Sequence, residues 1–284
     1  MARILYGRPL AEALSDNIYS RVLRLKEKGV YPCLAIIRAG SDGSQIAYER
    51  TAISRMAKLG IEVRCLHFES NVSESELLSA VEKINADDGI HGCIVLLPLP
   101  KHVDSRLICS GISPMKDVDG VTSDSISAVF LGESGFSPCA PGSCIALLDY
   151  YGIGIKGKRV CVAGRSLVVG RPLSMLLLAR DATVTICHSA TPDLAEECRM
   201  SDIIISAAGS PGLITAEHVR PGQTVIDVGI TAGPDGLLHG DVAFDEVSAI
   251  VSNITPVPGG IGVIAGSFLA RNLITAAENL SSGR

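Results

Sequence analysis

The sequence predicts an α/β protein made of two α/β domains, and three observations lead there. Short apolar runs alternate with amphipathic helical patterns almost throughout, as they do when βαβ units build a parallel sheet. The 284 residues suit one large domain or two ordinary ones, and 29 glycines suit many tight strand-to-helix connections. The series is interrupted at 132–142, rich in Gly, Ser and Pro, and a second series begins at Arg159.

Taken in order, Leu10 to Lys28 has helical spacing and Leu34 to Ile37 is a buried strand. After the loop 40–44, Gln45 to Leu59 is a second helix, with Gly60 placed to end it. Ile61 to Phe68 follows as a strand. Ser73 and Glu76 have the spacing of a capping box ahead of Leu77, Leu78, Val81 and Ile84. Strand and loop then run from Gly92 to Pro100, and a linking helix is expected from Ser143 to Tyr151.

In the second series Val160 to Ala163 is a strand, followed by a Gly-rich turn and a helix from Pro172 to Ala179. Strands recur at Thr183 to Cys187, Ile203 to Ala207 and Thr224 to Val228, so that five or six parallel strands make a Rossmann-type domain. Gly266 to Ser281 is a final helix expected to pack back on the first domain. The domains are therefore placed at 1–139, completed by 263–284, and at 140–262.

Composition narrows the partners. A formal charge of −5, with Lys and Arg scattered, leaves no basic stripe and argues against nucleic acid. No run approaches a membrane span, and the start lacks the apolar stretch of a signal peptide. Nine cysteines without a C-x-x-C pair read as buried thiols of a reducing, cytoplasmic compartment, with no metal site.

Chemistry is concentrated in a few segments. Gly164-Arg165-Ser166, then Gly170 and Pro172 opening a helix, forms a phosphate-binding turn, because glycine lets the backbone approach and a helix N-terminus offers N–H groups. Such a turn also serves packing alone. The next strand ends in Cys187-His188-Ser189, where a Rossmann domain meets the adenosine ribose. Arg165, His188 and Ser189 suit a 2′-phosphate, whereas a carboxylate would suit a free hydroxyl, so NADP is expected over NAD. Gly209 and Ile230 each follow a buried strand.

Four segments together are similar to the methylenetetrahydrofolate dehydrogenase/cyclohydrolase family: Gly92 to Pro100, Lys116-Asp117-Val118-Asp119-Gly120, Gly164 to Pro172, and Thr255 to Gly262. The resemblance covers nearly the whole chain. It implies a folate substrate, Gly209 and Ile230 as cofactor contacts, and Tyr48, Leu97, Pro98, Asp119 and Gly262 as substrate contacts. Tyr48 would stack on the pterin and Asp119 would hydrogen-bond its amino and ring nitrogens. It also implies a homodimer.

The chain departs from the family at the chemistry. The family's second helix carries Tyr-x-x-x-Lys, in which the lysine handles protons at the one-carbon bridge; here Tyr48 is followed by Ala52. The glutamine that hydrogen-bonds this lysine is replaced by Leu96. The changes fit one another, since a buried amide without its partner costs on the order of 1–3 kcal/mol. The expected activity is NADP-dependent oxidation of 5,10-methylenetetrahydrofolate to the methenyl form, with Tyr48 and Asp119 in the catalytic site and cyclohydrolase weak or lost. Two other readings of these residues stand: a catalytically silent relative that binds dinucleotide or a partner, and an NADP-dependent oxidoreductase with another substrate.

Overall fold

The structure is a computed structural model and describes residues 1–133, 135–233 and 237–282. The chain divides into two compact units. One comprises Met1–Glu12, Val129–Glu133 and Pro138–Ala265; the other comprises Ala13–Ala128, 135–137 and the chain from Gly266 onward. The last two residues of the expected C-terminal segment 263–284 lie outside the described residues.

The first unit is a six-stranded, wholly parallel sheet in the order Arg3–Ile4, Asn253–Ile254, Thr224–Asp227, Ile203–Ser206, Arg159–Ala163, Thr183–Cys187. Strands Ile203–Ser206 and Thr224–Asp227 are buried along their whole length, which is why they read as unbroken apolar runs rather than as an alternation. Helix Gly170–Leu178 packs on Arg159–Ala163 and Thr183–Cys187 and meets helix Cys139–Tyr150. The strand order reverses at Arg159–Ala163, and ligands of such sheets bind at the carboxyl ends beside the reversal.

Two sequence expectations are corrected. The N-terminal arm belongs with this sheet, because Arg3 and Ile4 pair with Asn253 and Ile254, whereas the sequence reading had put 1–139 with the other domain. Two-residue strands are too short to show a period. The linking helix begins at Cys139, inside the segment expected as a boundary, since Pro138 precedes its first turn without disrupting it.

The second unit holds a three-stranded parallel sheet in the order Glu62–Phe68, Cys33–Ala39, Gly92–Val95. One face, through Cys33, Ala35, Ile37, Cys93 and Val95, packs on Leu77, Val81 and Ile84 of helix Glu74–Ala86. The capping box is formed: Ser73 Oγ accepts from the Glu76 N–H, and the Ser73 N–H donates to Glu76 Oε2 at 2.9 Å. Helix Gly43–Lys58 is capped by Asp42, whose Oδ1 accepts from the N–H groups of Ser44 and Gln45. It ends in a Schellman motif. Gly60 has φ +73°, its N–H donates to Ala57 O, and the Ile61 N–H donates to Met56 O.

The sheet's other face meets helix Ile261–Ser282 at Gly92, where a Cβ would lie 2.6 Å from Val118 Cγ1 and 2.7 Å from Leu273 Cδ1. Arg21 on helix Arg8–Glu27 grips the same C-terminal helix, with Nη2 2.6 Å from Glu278 Oε2 and 2.8 Å from Thr275 Oγ1. Gly92→Ala should lower stability by about 1–3 kcal/mol through overpacking. Gly43→Ala, where a Cβ meets nothing within 4 Å, should be neutral. Urea unfolding of the two variants side by side measures the difference.

Candidate active site

At the carboxyl ends of three strands in the first unit lies a cavity of about 520 Å³. Its walls include Gly164, Arg165, Ser166, His188 and Ser189, five of the residues expected to hold the dinucleotide, together with Ala207, Ala208 and Ser210. Gly164 has φ +134°, and a Cβ there would lie 2.4 Å from Ala207 O, so only glycine lets the two strand-end turns touch. Ser166 Oγ accepts from the N–H groups of Val169 and Gly170 at 3.1 and 3.4 Å and closes the start of helix Gly170–Leu178. Arg171 Nε donates to Arg165 O, which fastens the turn from its far end. His188 Nδ1 accepts from the Ala190 N–H at 3.1 Å, so the ring proton of the neutral form sits on Nε2.

Gly209 is held beside this cavity rather than in its wall. Ile230, half exposed, meets Gly262, where a Cβ would stand 3.0 Å from Ile230 Cδ1. The expected cofactor contact Ile230 and the expected substrate contact Gly262 are thus neighbours.

Asp241, which the sequence reading passed over, fixes this region. Its carboxylate is fully buried and accepts from Ser206 Oγ (2.9 Å) and from the N–H groups of Ala208 (2.7 Å), Gly209 (3.2 Å) and Ser210 (2.8 Å). Asp227, at the end of the adjacent strand, accepts from the N–H groups of Gly229, Asp241 and Val242. The backbone comes so close that a Cβ at Gly229 would fall 2.1 Å from the Asp241 carboxylate, and one at Gly240 2.0 Å from that of Asp227. Burial pushes the Asp227 carboxyl up to about 6; its three N–H donors pull the other way, and the nearby Asp241 charge adds to the rise.

In the second unit the expected substrate residues lie on helix Gly43–Lys58 and two loops. Tyr48 is half exposed, and Ala52, one turn on, is buried. Gln45 Nε2 donates to Pro98 O at 2.7 Å and ties the helix to the Leu96–Pro100 loop. Leu96 is buried with its N–H donating to Ile37 O, while Leu97 is half exposed. Glu49 belongs to a different group: its carboxylate pairs with Arg38 Nε and with His67 Nε2, both at 3.0 Å, and Cys65 stands in reach of the same pair. This network fastens the helix to the strands Cys33–Ala39 and Glu62–Phe68.

The Lys116 to Gly120 loop divides its charges. Lys116 is buried, and its Nζ donates to the carbonyls of Ile84, Asn85 and Asp87 at 2.8–2.9 Å, which closes the C-terminus of helix Glu74–Ala86. It therefore serves the fold and is no substitute for a proton-handling lysine. Asp117 is a turn former that accepts from the N–H groups of Val121 and Thr122. Asp119 is partly exposed; burial, with the carboxylates of Asp117 and Asp119, pushes the nearby Cys109 thiol up to about 11.

Arg55 completes the helix face. At 3.6 residues per turn, Tyr48, Ala52 and Arg55 fall within an arc of about 60°. Its guanidinium lies over Gly266, where a Cβ would be 2.5 Å from Nη1, and Nη1 stands 3.4 Å from Ser267 Oγ. Glycine inside a helix is about 1 kcal/mol less favourable than alanine. Here it makes room for the arginine.

Residues 5–119 match the family model described as tetrahydrofolate dehydrogenase/cyclohydrolase, catalytic domain, and residues 138–281 match that described as its NAD(P)-binding domain. The chain belongs to this family. It is 43% identical to the bifunctional protein FolD of Variovorax paradoxus over 98% of both chains, and 40% identical to that of Paracidovorax citrulli over the same shares. Among solved structures it is similar to the bifunctional FolD methylenetetrahydrofolate dehydrogenase/cyclohydrolase of Campylobacter jejuni, with a TM-score of 0.97 and 38% identity, covering 98% of this chain and 99% of that one. The Trypanosoma brucei enzyme, complexed with NADP cofactor and an inhibitor, gives 0.93 and 36%, covering 100% and 99%. No helix among the described residues is long and apolar enough to cross a membrane.

Asp227 gives this region a pH signature. An unfolded chain releases the Asp227 proton near the ordinary 3.8, whereas the folded protein keeps it to about 6. The folded state thus binds more protons across that window, and its stability falls as pH rises through it, by on the order of 2–3 kcal/mol from this group. Urea unfolding between these pH values should show that fall in the wild type minus Asp227→Asn difference. A difference that is flat with pH would mean Asp227 is ionised throughout.

Proposed function

We propose that the chain is an NADP-dependent dehydrogenase that oxidises 5,10-methylenetetrahydrofolate to the methenyl form, with cyclohydrolase activity weak or lost. What carries this reading is Ala52, buried one turn from Tyr48 on the same helix face, with the buried Leu96 in the loop that Gln45 ties to that helix. The named relatives are bifunctional, so the proposed loss is particular to these positions. Hydride transfer needs chiefly that the methylene carbon be held in place, whereas ring opening by water needs proton transfer at a defined atom, which contributes about 10²–10⁴-fold. Neither Ala52 nor Leu96 can move a proton, Lys116 is fixed to three carbonyls, and Arg55 stays protonated.

Bound in the cavity of the first unit, NADP would supply the hydride acceptor. The residues there fit it. The turn at Gly164 has no side chain to obstruct a pyrophosphate, and the N-terminus of helix Gly170–Leu178 faces the turn with its positive dipole end. Arg165, Ser189 and His188 supply donors for a 2′-phosphate and no carboxylate to repel it. In the second unit Tyr48 offers its ring to the pterin and Asp119 an acceptor for its N–H groups.

Arg165→Ala should weaken NADP by about 10-fold or more and NAD far less, because a charge-assisted contact is worth roughly 1.5–3 kcal/mol. Calorimetric titration with both dinucleotides measures this, and equal losses would count against the 2′-phosphate assignment. For the lost activity, Ala52→Lys with Leu96→Gln should raise methenyl hydrolysis above the buffer rate, and more than either change alone, since a lone buried lysine lacks its partner. Loss of methenyl absorbance is the assay. Wild-type hydrolysis well above buffer would overturn the proposed loss.

A further inference from the structure

On the Tyr48 face, the side chain at 52 is a methyl group and the charge comes from one turn further along. Arg55 holds that position through a seat that only glycine leaves open: Gly266 is the least favourable residue other than proline for a helix interior, and any side chain there would displace Nη1. Ser267 stands beside the same nitrogen. The guanidinium is half buried, and Tyr48 lies close enough to act on it electrostatically. Glu49, the acidic group of this helix nearest in sequence, faces the strands and is paired with Arg38 and His67.

We infer that Arg55, seated on Gly266, is a specificity-determining residue of the folate pocket. It supplies a fixed positive charge that disfavours the cationic methenyl form relative to uncharged folates. This rests on the folate reading above. The chemistry follows from the reaction: removing hydride from the methylene bridge leaves a positive charge delocalised over the bridge and its two nitrogens, whereas the methylene substrate carries none there. A ligand stacked on Tyr48 lies within reach of the guanidinium, and like charges several ångströms apart near a protein surface shift affinity by about tenfold or more. An arginine keeps its proton, so this charge acts on binding without catalysing ring opening. The pocket thereby favours release of its oxidised product.

The test compares two folates at the same oxidation level, 5,10-methenyltetrahydrofolate, which is closed and cationic at the bridge, and 5-formyltetrahydrofolate, which is open and neutral there, and reads the change in preference between variants. Both are titrated calorimetrically in mildly acidic buffer. The wild type should prefer the formyl compound, and Arg55→Gln should reduce that preference by about five- to tenfold by strengthening methenyl binding. Arg55→Lys should keep most of the preference. Gly266→Ala favours the helix but evicts the guanidinium, so it should reduce the preference without loss of folding. A preference unchanged in both Arg55→Gln and Gly266→Ala, with both ligands still bound, overturns the role of Arg55 and leaves the folate reading standing. If neither ligand binds the wild type, the folate reading itself falls and this inference with it.

Discussion

The strand-end turns of the first unit depend on one buried carboxylate, that of Asp241. A buried polar group is tolerated when its atoms are hydrogen-bonded, and here four donors from 206–210 converge on this side chain. The consequence is geometric. The turn at 207–210 cannot move without stripping hydrogen bonds from a buried side chain, and Ala207 and Ala208 line the cavity at the strand ends. Asp227 extends the arrangement by holding the N–H groups on either side of Asp241 itself. Two glycines, at 229 and 240, admit both carboxylates at distances no side chain would allow. The turn beside the cavity is thus held by groups that do not line it.

The second unit handles its charges by a similar logic and with a different result. Lys116, Glu49 and Asp117 are each buried and each committed to the fold, by carbonyls, by Arg38 and His67, and by turn N–H groups respectively. On the face carrying Tyr48, Ala52 is buried and apolar, and Gln45 is buried with its amide nitrogen donating to Pro98 O. A polar group placed at either buried position, 52 or 96, would lose its hydration and need a partner to replace it. Arg55 is half buried, with its guanidinium seated where the facing helix has Gly266.

How far the sequence disclosed this differs from residue to residue. Local signals were fully legible: Ser73 with Glu76 named a capping box and Gly60 a helix stop, because each is complete within a few consecutive residues. The tyrosine and alanine of the substrate helix could be placed on one face from their spacing alone. Groups whose roles depend on distant partners were not legible. Nothing adjacent to Asp241 marks its role, Lys116 lies in a loop that reads as a ligand site, and Gly266 opens what reads as a plain helix. Their meaning appears only when Ser210, Ile84 or Arg55 is brought alongside. The strand Arg3–Ile4 failed for another reason, since two residues carry no periodicity and its partner Asn253–Ile254 is as short.

The two reactions of the family make unequal demands on one pocket, and this separates membership from activity. Oxidation at the methylene carbon asks the protein for orientation and for an environment compatible with a growing positive charge. Hydrolysis asks in addition for a group that gives and takes a proton beside the same carbon. A lysine with a shifted pKa serves the second need, but its charged form opposes the first by placing like charge near the developing cation. Replacing it with a methyl group removes both the proton carrier and the nearest repulsion. A guanidinium held one turn away keeps a weaker field over the site. On the proposed reading, such a field has little effect on a neutral substrate and acts mainly on the charged product, so Arg55 keeps part of the repulsion that the change at 52 removes. Full-length similarity to bifunctional relatives, carried by the sheets, turns and buried carboxylates, is compatible with this, because none of those features depends on what stands at 52 or 96.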